Sequence, residues 1–186
     1  MPGVESTVKR IGFLSFGHWG DVPGSHTRTA RDALVQSIEL AEAAEEIGID
    51  GAYFRVHHFA RQLASPFPLL AAIGARTSRI EIGTAVVPLQ AQHPVHLVRQ
   101  SLSTHAALGG RLALGVGPSH HWIVQDMLGL PYDKPAKYTR DYLEVLNAAR
   151  DLPGSIDVEN DTFTVHNPLD IAPVTPMPVL VAALGP

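Results

Sequence analysis

Residues 111–117 read Arg-Leu-Ala-Leu-Gly-Val-Gly, a run with no polar residue after its first position. A strand with one wet face alternates apolar and polar residues, so this run predicts a strand that is buried on both faces. Four more runs rich in apolar residues occur at residues 11–17, 51–59, 79–89 and 179–183. Strands of this kind are typical of a parallel sheet that helices cover on both faces.

Helical patterns fill the intervals between these strands. Thr29 and Asp32 match a capping box, and apolar residues recur at helical spacing from Leu34 to Ala44, so a helix is predicted over residues 29–47. Further helices are predicted at residues 65–76, 93–108 and 138–150. The sequence therefore predicts an α/β fold with about five parallel strands and four helices.

One segment departs from this alternation of strands and helices. Residues 156–158 and 163–165 alternate apolar and polar side chains around Asn160-Asp161, which is a hairpin signal. We therefore expect residues 152–177 to leave the sheet as a hairpin excursion, within one domain that covers residues 1–186.

Composition excludes several classes of protein. The chain has 186 residues, is 45% hydrophobic and 17% charged, and carries a net charge of -4, which is typical of a globular domain rather than a disordered or nucleic-acid-binding one. It has no cysteine, which excludes disulfides, cysteine nucleophiles and thiolate metal sites and is compatible with a reducing cytoplasm. No apolar run is long enough to span a bilayer, and no signal peptide is expected.

Catalytic and ligand-binding residues are expected in the loops that follow the strands, because ligands of βα proteins bind at the carboxyl ends of the strands. These loops hold a concentration of histidine and tryptophan in a chain with only two tryptophans. The candidates are His18 and Trp19 after the first strand, His57 and His58 after the second, residues 85–88 after the third, and Ser119, His120, His121 and Trp122 after the fourth.

Several of these features have two interpretations. Gly115 and Gly117 either pack against a neighbouring strand or let a planar cofactor approach the backbone, and they lack the third glycine of a dinucleotide fingerprint. His57 is either an ordinary hydrogen-bonded histidine or a proton carrier.

A metal site is disfavoured, because adjacent histidines on a strand point to opposite faces. The first helix is expected to have a solvent-exposed face, formed by Glu39, Glu42, Glu45 and Glu46.

Four stretches occur together in a fairly specific order and spacing. They are residues 41–51, the aromatic strand that ends in His57-His58-Phe59, Arg79–Pro88 followed by His93-Pro94-Val95, and residues 108–117. This pattern, which spans nearly the whole chain, resembles the bacterial luciferase-like family of flavin- and deazaflavin-dependent enzymes. Within that family, the chain further resembles the branch that uses the deazaflavin coenzyme F420. This resemblance lies in residues 117–121, 129–135, 142–143 and 180–186.

The resemblance implies a (β/α)8 barrel of the TIM type. A complete barrel takes about 250 residues, so five strands and four helices in this chain correspond to a little over half of one. In the family a bulge follows the third strand, often with a non-proline cis peptide bond that backs the cofactor ring, and the matching bond is Ala85–Val86. The family's second strand commonly ends acidic-His-His-aromatic, and Val56 stands at the acidic position.

The resemblance also implies roles for individual residues. His57 is expected to be catalytic, as a proton donor or acceptor beside the reacting ring. Cofactor contacts are expected from Ser15, His58, Thr84, Ala85, Val86, Gly115, Gly117, Ser119 and His120. Substrate contacts are expected from His18, Trp19, His121 and Trp122. No metal ligand is expected.

The function that the resemblance implies is a cytoplasmic oxidoreductase that transfers a hydride between coenzyme F420 and a small organic substrate. An FMN-dependent monooxygenase that uses O2 is the alternative within the family. A shortened, non-catalytic relative that serves as a binding or scaffold subunit is an alternative of another class, and a histidine metalloenzyme is a third. Neither a nucleic acid nor a membrane is expected as a partner. The chain is expected either to form a homodimer or to bind a partner that completes the barrel.

Overall fold

The computed structural model describes residues 9–57, 59–63, 65–151, 155–168 and 175–183. The helices are α1 (Ala30–Glu46), α2 (Pro66–Gly74), α3 (Pro94–Ala107) and α4 (Pro135–Asp151), with a 3-10 turn at Leu89–Ala91 and a π-helix at Trp122–Met127. The strands are β1 (Gly12–Ser15), β2 (Gly51–Phe54), β3 (Glu81–Thr84), β4 (Val87–Pro88), β5 (Leu112–Gly117), β6 (Ser155–Glu159), β7 (Thr164–Pro168) and β8 (Val179–Val181).

The main sheet is parallel throughout, which confirms the predicted α/β fold. Strand β1 pairs with β2, and β2 pairs with β3. Strands β3 and β4 lie one after the other along one edge of β5, and β8 lies along its other edge. In the part of the chain that the structure describes, β1 and β8 have no further strand partner, so the sheet curves as an open part of a barrel.

The hairpin signal also corresponds to a real element. Strands β6 and β7 form a separate antiparallel sheet, in which Val158 faces Val165 across the ladder. Other parts of the predicted excursion, residues 152–154 and 169–174, lie outside the described residues. None of the described helices is both long and apolar enough to cross a bilayer.

Two predicted strands differ from the observed ones. The second was predicted to reach residue 59, but β2 ends at Phe54, because β1 and β3 pair with it only that far. The third was predicted as one strand over residues 79–89, but it breaks into β3 and β4 at the Ala85–Val86 bond, which is cis. Both breaks fall at the carboxyl end of the sheet, where the backbone turns to form loops.

The helical content differs most after β5. Helix α4 begins at Pro135 rather than at residue 138, which places a proline in its first turn, where a missing N–H costs nothing. The π-helix Trp122–Met127 was not predicted, because its residues follow neither a clean helical nor a clean strand period. It brings Ile123 and Val124 into buried positions.

One aromatic ring fills the amino-terminal end of the sheet. Tyr53 of β2 lies over Gly51 of its own strand and Gly83 of β3, and an added Cβ at Gly51 would come within 2.9 Å of the tyrosine ring. The Tyr53 hydroxyl donates to Glu81, and burial together with that bond raises the pKa of Tyr53 to about 12. Ligand sites of parallel βα sheets form at the opposite end, where the strands have their carboxyl ends.

Glu45 joins the end of α1 to the start of β3. Its carboxylate accepts backbone N–H bonds from Ser78 at 2.9 Å, and from Arg79 and Ile80 at 2.7 Å each. Burial alone would raise the pKa of Glu45, but these N–H donors outweigh it and lower the pKa to about 2. The expectation that the four glutamates of α1 form only a solvated face is therefore wrong for Glu45.

Replacing Glu45 with alanine should lower the free energy of unfolding by about 2–3 kcal/mol, because the variant leaves several backbone donors without their charged acceptor. Glu46→Ala, one residue along on the exposed side, should change the free energy by less than about 0.5 kcal/mol. Urea unfolding of the three proteins measures both values. Equal effects of the two substitutions would show that the Glu45 contacts contribute nothing.

The Glu45 contribution should also depend on pH in a defined direction. Its pKa in the folded protein, about 2, is lower than the ordinary value of 4.5, so the unfolded chain binds the proton more tightly. The stabilisation is therefore complete above about pH 4.5 and is lost as the pH falls towards about 2. The gap in unfolding free energy between the wild-type chain and Glu45→Ala should shrink over that window, and a gap of constant size would contradict the assignment.

Candidate functional site

A cleft lies at the carboxyl ends of β2, β4 and β5, where the parallel sheet predicts a site. Three segments that are distant in the sequence line it: residues 55–57, residues 85–88 and residues 119–123. Its volume is about 130 Å³. That is less than the roughly 300–1,000 Å³ typical of pockets that bury a whole ligand, so the cleft accommodates one part of a larger molecule.

Five of the predicted site residues come together in this cleft. They are His57, Ala85, Val86, Ser119 and His120. The cleft thus combines a half-buried imidazole and a serine with a wall of apolar side chains. This is the composition that ligand sites favour, in which apolar surface supplies burial and a few polar groups fix orientation.

His57 makes one hydrogen bond with its main chain and one with its ring. The main-chain N–H donates to the carbonyl oxygen of Leu63 at 2.8 Å, and the ring Nδ1 accepts from the main-chain N–H of Phe59 at 3.4 Å. A nitrogen that accepts an N–H bond carries no proton, so the neutral imidazole has its proton on Nε2. This tautomer is assigned from the hydrogen-bond pattern, and it places the ring N–H on Nε2.

Residues 85–88 form the second wall, and Thr84 lies just before them. Val86 lies beside β5, where an added Cβ at Gly117 would come within 3.0 Å of its side chain. The Thr84 hydroxyl donates to the Gly115 carbonyl oxygen at 2.8 Å and accepts the Gly115 N–H at 2.9 Å. Thr84 is buried, so its hydroxyl serves to join β3 and β5 and does not line the cleft.

The two glycines of β5 are therefore explained by packing. An alanine Cβ at Gly115 would overlap the carbonyl oxygen of Thr84, and at Gly117 it would press on Val86 and Ala182. Of the two interpretations left open by the sequence, close approach of a neighbouring strand is the one that these contacts support. Neither glycine lines the cleft.

The loop after β5 supplies the third wall. Ser119 has a φ of 58°, which is uncommon for a residue with a side chain, and its carbonyl oxygen accepts the Tyr132 hydroxyl at 2.9 Å. His120 stacks on Trp122, with ring centroids 6.2 Å apart. His121 meets the edge of Tyr132 instead and does not line the cleft.

The loop after β1 does not line this cleft. Gly17, with a φ of 58°, turns the chain towards α1 and α2. Ser15 and His18 line a separate cleft against α1, and Trp19 lines another between α1 and α2. Ser15 faces the helices because side chains alternate along a strand. The predicted contact at His58 lies outside the described residues.

Arg55 and Ile123 line the cleft and were missed by the sequence analysis. Arg55 follows β2 two positions before His57, and side chains two apart in an extended segment share a face, so this spacing could have identified it. Its guanidinium lies 5.0 Å from the ring centre of Phe16. Ile123 could not have been found, since only the unpredicted π-helix turns it inward.

Among the described residues, no group of three or more possible metal ligands comes together. The reason given from the sequence needs correction, however, because His57 lies beyond the end of β2 and not on a strand. His93 instead caps α3, where its Nδ1 accepts the N–H of Val95 at 3.3 Å.

The profile of the family described as luciferase-like monooxygenase matches residues 10–186. The 4-hydroxyprotoasukamycin monooxygenase of Streptomyces nodosus subsp. asukaensis is 30% identical over 139 residues, which are 73% of this chain and 37% of that protein. The F420-dependent glucose-6-phosphate dehydrogenase of Nakamurella multipartita is 27% identical over 161 residues, which are 80% of this chain and 46% of that protein.

Solved structures share the fold. One is the oxygenating constituent of 3,6-diketocamphane monooxygenase from the CAM plasmid of Pseudomonas putida, in complex with FMN. It superposes with a TM-score of 0.77 and 21% identity, over 94% of this chain and 52% of that one. The chain thus spans about half or less of the length of the proteins it matches.

Proposed function

The chain belongs to the luciferase-like monooxygenase family, and we propose that its cleft holds the ring system of a redox cofactor during oxidation or reduction of a small organic substrate. Coenzyme F420 is the cofactor we put first. The observation that carries the proposal is the convergence of His57, Val86 and Ser119 from three separate loops at the carboxyl end of the sheet.

The residues present fit such a ring in their chemistry. Val86, Pro88 and Ile123 offer apolar surface to the face of a planar ring, and His57 and Ser119 offer hydrogen-bonding groups to its edge. When bound, a deazaflavin supplies a carbon centre that accepts or donates a hydride. The protein's part is to position that ring, exclude water from one face, and handle the proton that accompanies the hydride.

His57 is the residue we assign to the proton. Its Nδ1 is held by the Phe59 N–H, which fixes the plane of the imidazole. A neutral imidazole with its hydrogen on Nε2 donates a hydrogen bond from that atom. To release a proton from Nε2, the ring must first be protonated at Nδ1, which displaces the 3.4 Å contact with the Phe59 N–H. An imidazole titrates near neutrality in its unperturbed state, so it can work in either direction of the reaction.

Coenzyme F420 is favoured by the resemblance of residues 117–121 and 129–135 to the F420-using branch. An F420-dependent dehydrogenase is also among the relatives. FMN with O2 is the second candidate. It is favoured by a structural neighbour in complex with FMN.

Titration of the 186-residue chain with F420 and with FMN, followed by fluorescence, tests the proposal. We expect F420 to bind more tightly, and Ala85→Leu to weaken binding at least about tenfold, because the larger side chain fills the cleft. The matched control is Ala43→Leu, which adds the same volume on the exposed side of α1. No binding of either cofactor at millimolar concentration would contradict the proposal, and tighter FMN binding would select the second candidate.

A further inference from the structure

A second and larger cleft of about 660 Å³ lies next to the first one, between the segment 130–138, the β6–β7 turn and Gln90. Its volume falls in the range of pockets that bury a small organic molecule. The two clefts share a wall, since the Tyr132 hydroxyl donates to the carbonyl oxygen of Ser119 while its ring lines the larger cleft. No residue lines both clefts.

Gln90 is the residue that points to a ligand. Its side chain lines the larger cleft, only 9% of the residue is exposed, and its Oε1 has no hydrogen-bond partner among the residues that the structure describes. Buried polar atoms in native proteins are nearly always paired, because an unpaired one costs about 1–3 kcal/mol. Because this oxygen is itself buried, the Gln90 amide must turn towards the cleft for a hydrogen-bond donor on a bound molecule to supply the missing partner.

The opposite wall of the cleft is fixed in place. Lys137 of α4 bonds Asp141 at 2.6 Å and Asp161 at 3.0 Å, which joins the helix to the β6–β7 turn. The Asn160 side-chain amide reinforces this by donating to the Asp141 carbonyl oxygen at 3.1 Å. An ammonium group has three N–H donors, so two carboxylates leave Lys137 one for the cleft.

The charges around the cleft select against an ion. Two lysines, Lys134 and Lys137, face two aspartates, Asp133 and Asp161, and their formal charges sum to zero. Burial raises the pKa of Tyr138 and also that of Tyr132, so both phenols stay neutral in ordinary buffers. The cleft therefore offers paired donors and acceptors beside aromatic faces, with no net charge.

We propose that this cleft binds an uncharged, ring-shaped, polyhydroxylated molecule, whose hydroxyls donate to Gln90 and whose C–H face packs on Tyr132 and Tyr138. Each hydroxyl both donates and accepts, which matches a wall of mixed carboxylate, ammonium and amide groups. Aromatic rings supply rigid apolar surface to the less polar face of such a ring. The site is separate from the proposed cofactor cleft and does not depend on it.

Ligand-observed NMR on the 186-residue chain tests the proposal, with methyl glycosides of glucose, galactose and mannose, with myo-inositol, and with inorganic phosphate as the anionic competitor. We expect millimolar binding of at least one uncharged polyol and none of phosphate. Binding should persist in Ala85→Leu, which fills the other cleft. Absence of any polyol binding, or binding of phosphate alone, would overturn the proposal.

Gln90→Met is the decisive variant, since it keeps the length of the side chain and removes its polar atoms. Affinity for the polyol should fall at least about tenfold, while the urea midpoint stays equal or rises, because an unpaired buried polar atom has been removed. Gln125→Met, on an exposed position of the π-helix, should change neither. Leu130→Trp, at the exposed rim, should also block binding. Full affinity in Gln90→Met and in Leu130→Trp would refute the site.

Discussion

Gly115→Ala is expected to lower the free energy of unfolding by at least about 3 kcal/mol. The new Cβ would overlap the carbonyl oxygen of Thr84 and would approach the Val86 side chain to 3.3 Å. The clash involves backbone rather than a flexible side chain, so β3 and β5 must separate to relieve it. Overpacking a core usually costs about 1–3 kcal/mol, and we expect at least about 3 kcal/mol here, out of a typical total of about 5–15 kcal/mol.

The same movement would break the two bonds between Thr84 and Gly115, which adds unpaired buried groups to the steric cost. Urea unfolding and the yield of soluble chain measure the effect. Gly20→Ala is the matched control, because nothing lies within 4 Å of an added Cβ there, and its unfolding free energy should change by less than about 0.5 kcal/mol. If the two variants unfold at the same urea concentration, the strands are not held together at Gly115.

On the proposed function, His57→Asn should lower turnover about 10²–10⁴-fold and leave cofactor affinity largely intact. Asparagine can still accept the Phe59 N–H at the position of Nδ1, but it has no atom at the position of Nε2. Loss of general acid–base catalysis typically lowers the rate about 10²–10⁴-fold. The effect should appear in the rate of the chemical step, because the apolar wall that would hold the ring is unchanged.

Three measurements separate this role from a structural one. Cofactor binding is followed by fluorescence, the rate by absorbance of the cofactor, and the fold by urea unfolding. His26→Ala, at an exposed loop position, is the control and should match the wild-type chain in all three. Full turnover in His57→Asn would refute the assignment, and parallel loss of binding and stability would show that His57 only supports the loop.

Much of the fold was predictable because it depends on local patterns. The apolar run of β5, the capping box of α1 and the hairpin around Asn160 all matched elements in the structure. Such patterns are reliable when they restrict a stretch of chain to one conformation. Burial of a strand on both faces does this, and so does a capping residue at the start of a helix. The order of strands and helices then implied parallel pairing and the end of the sheet at which a site forms.

The site itself was only partly predictable. Ala85, Val86 and Ser119 were identified through the family pattern, and the structure brings them together with His57. Arg55 could also have been predicted, because it lies two positions before His57 and side chains two apart in an extended segment share a face. Ser15 instead lines a separate cleft against α1, and a one-residue shift along a strand decides which face a side chain joins.

The sequence by itself determined that this chain forms parallel strands covered by helices, and on which loops its chemistry lies. Tertiary structure decided which of those loops meet. Gly17 turns one loop away, the π-helix brings Ile123 inward, and the Thr84 carbonyl makes Gly115 a packing residue. It also left Oε1 of Gln90 buried beside a cleft without a partner among the described residues. These outcomes depend on contacts between distant segments, and no local periodicity records such contacts.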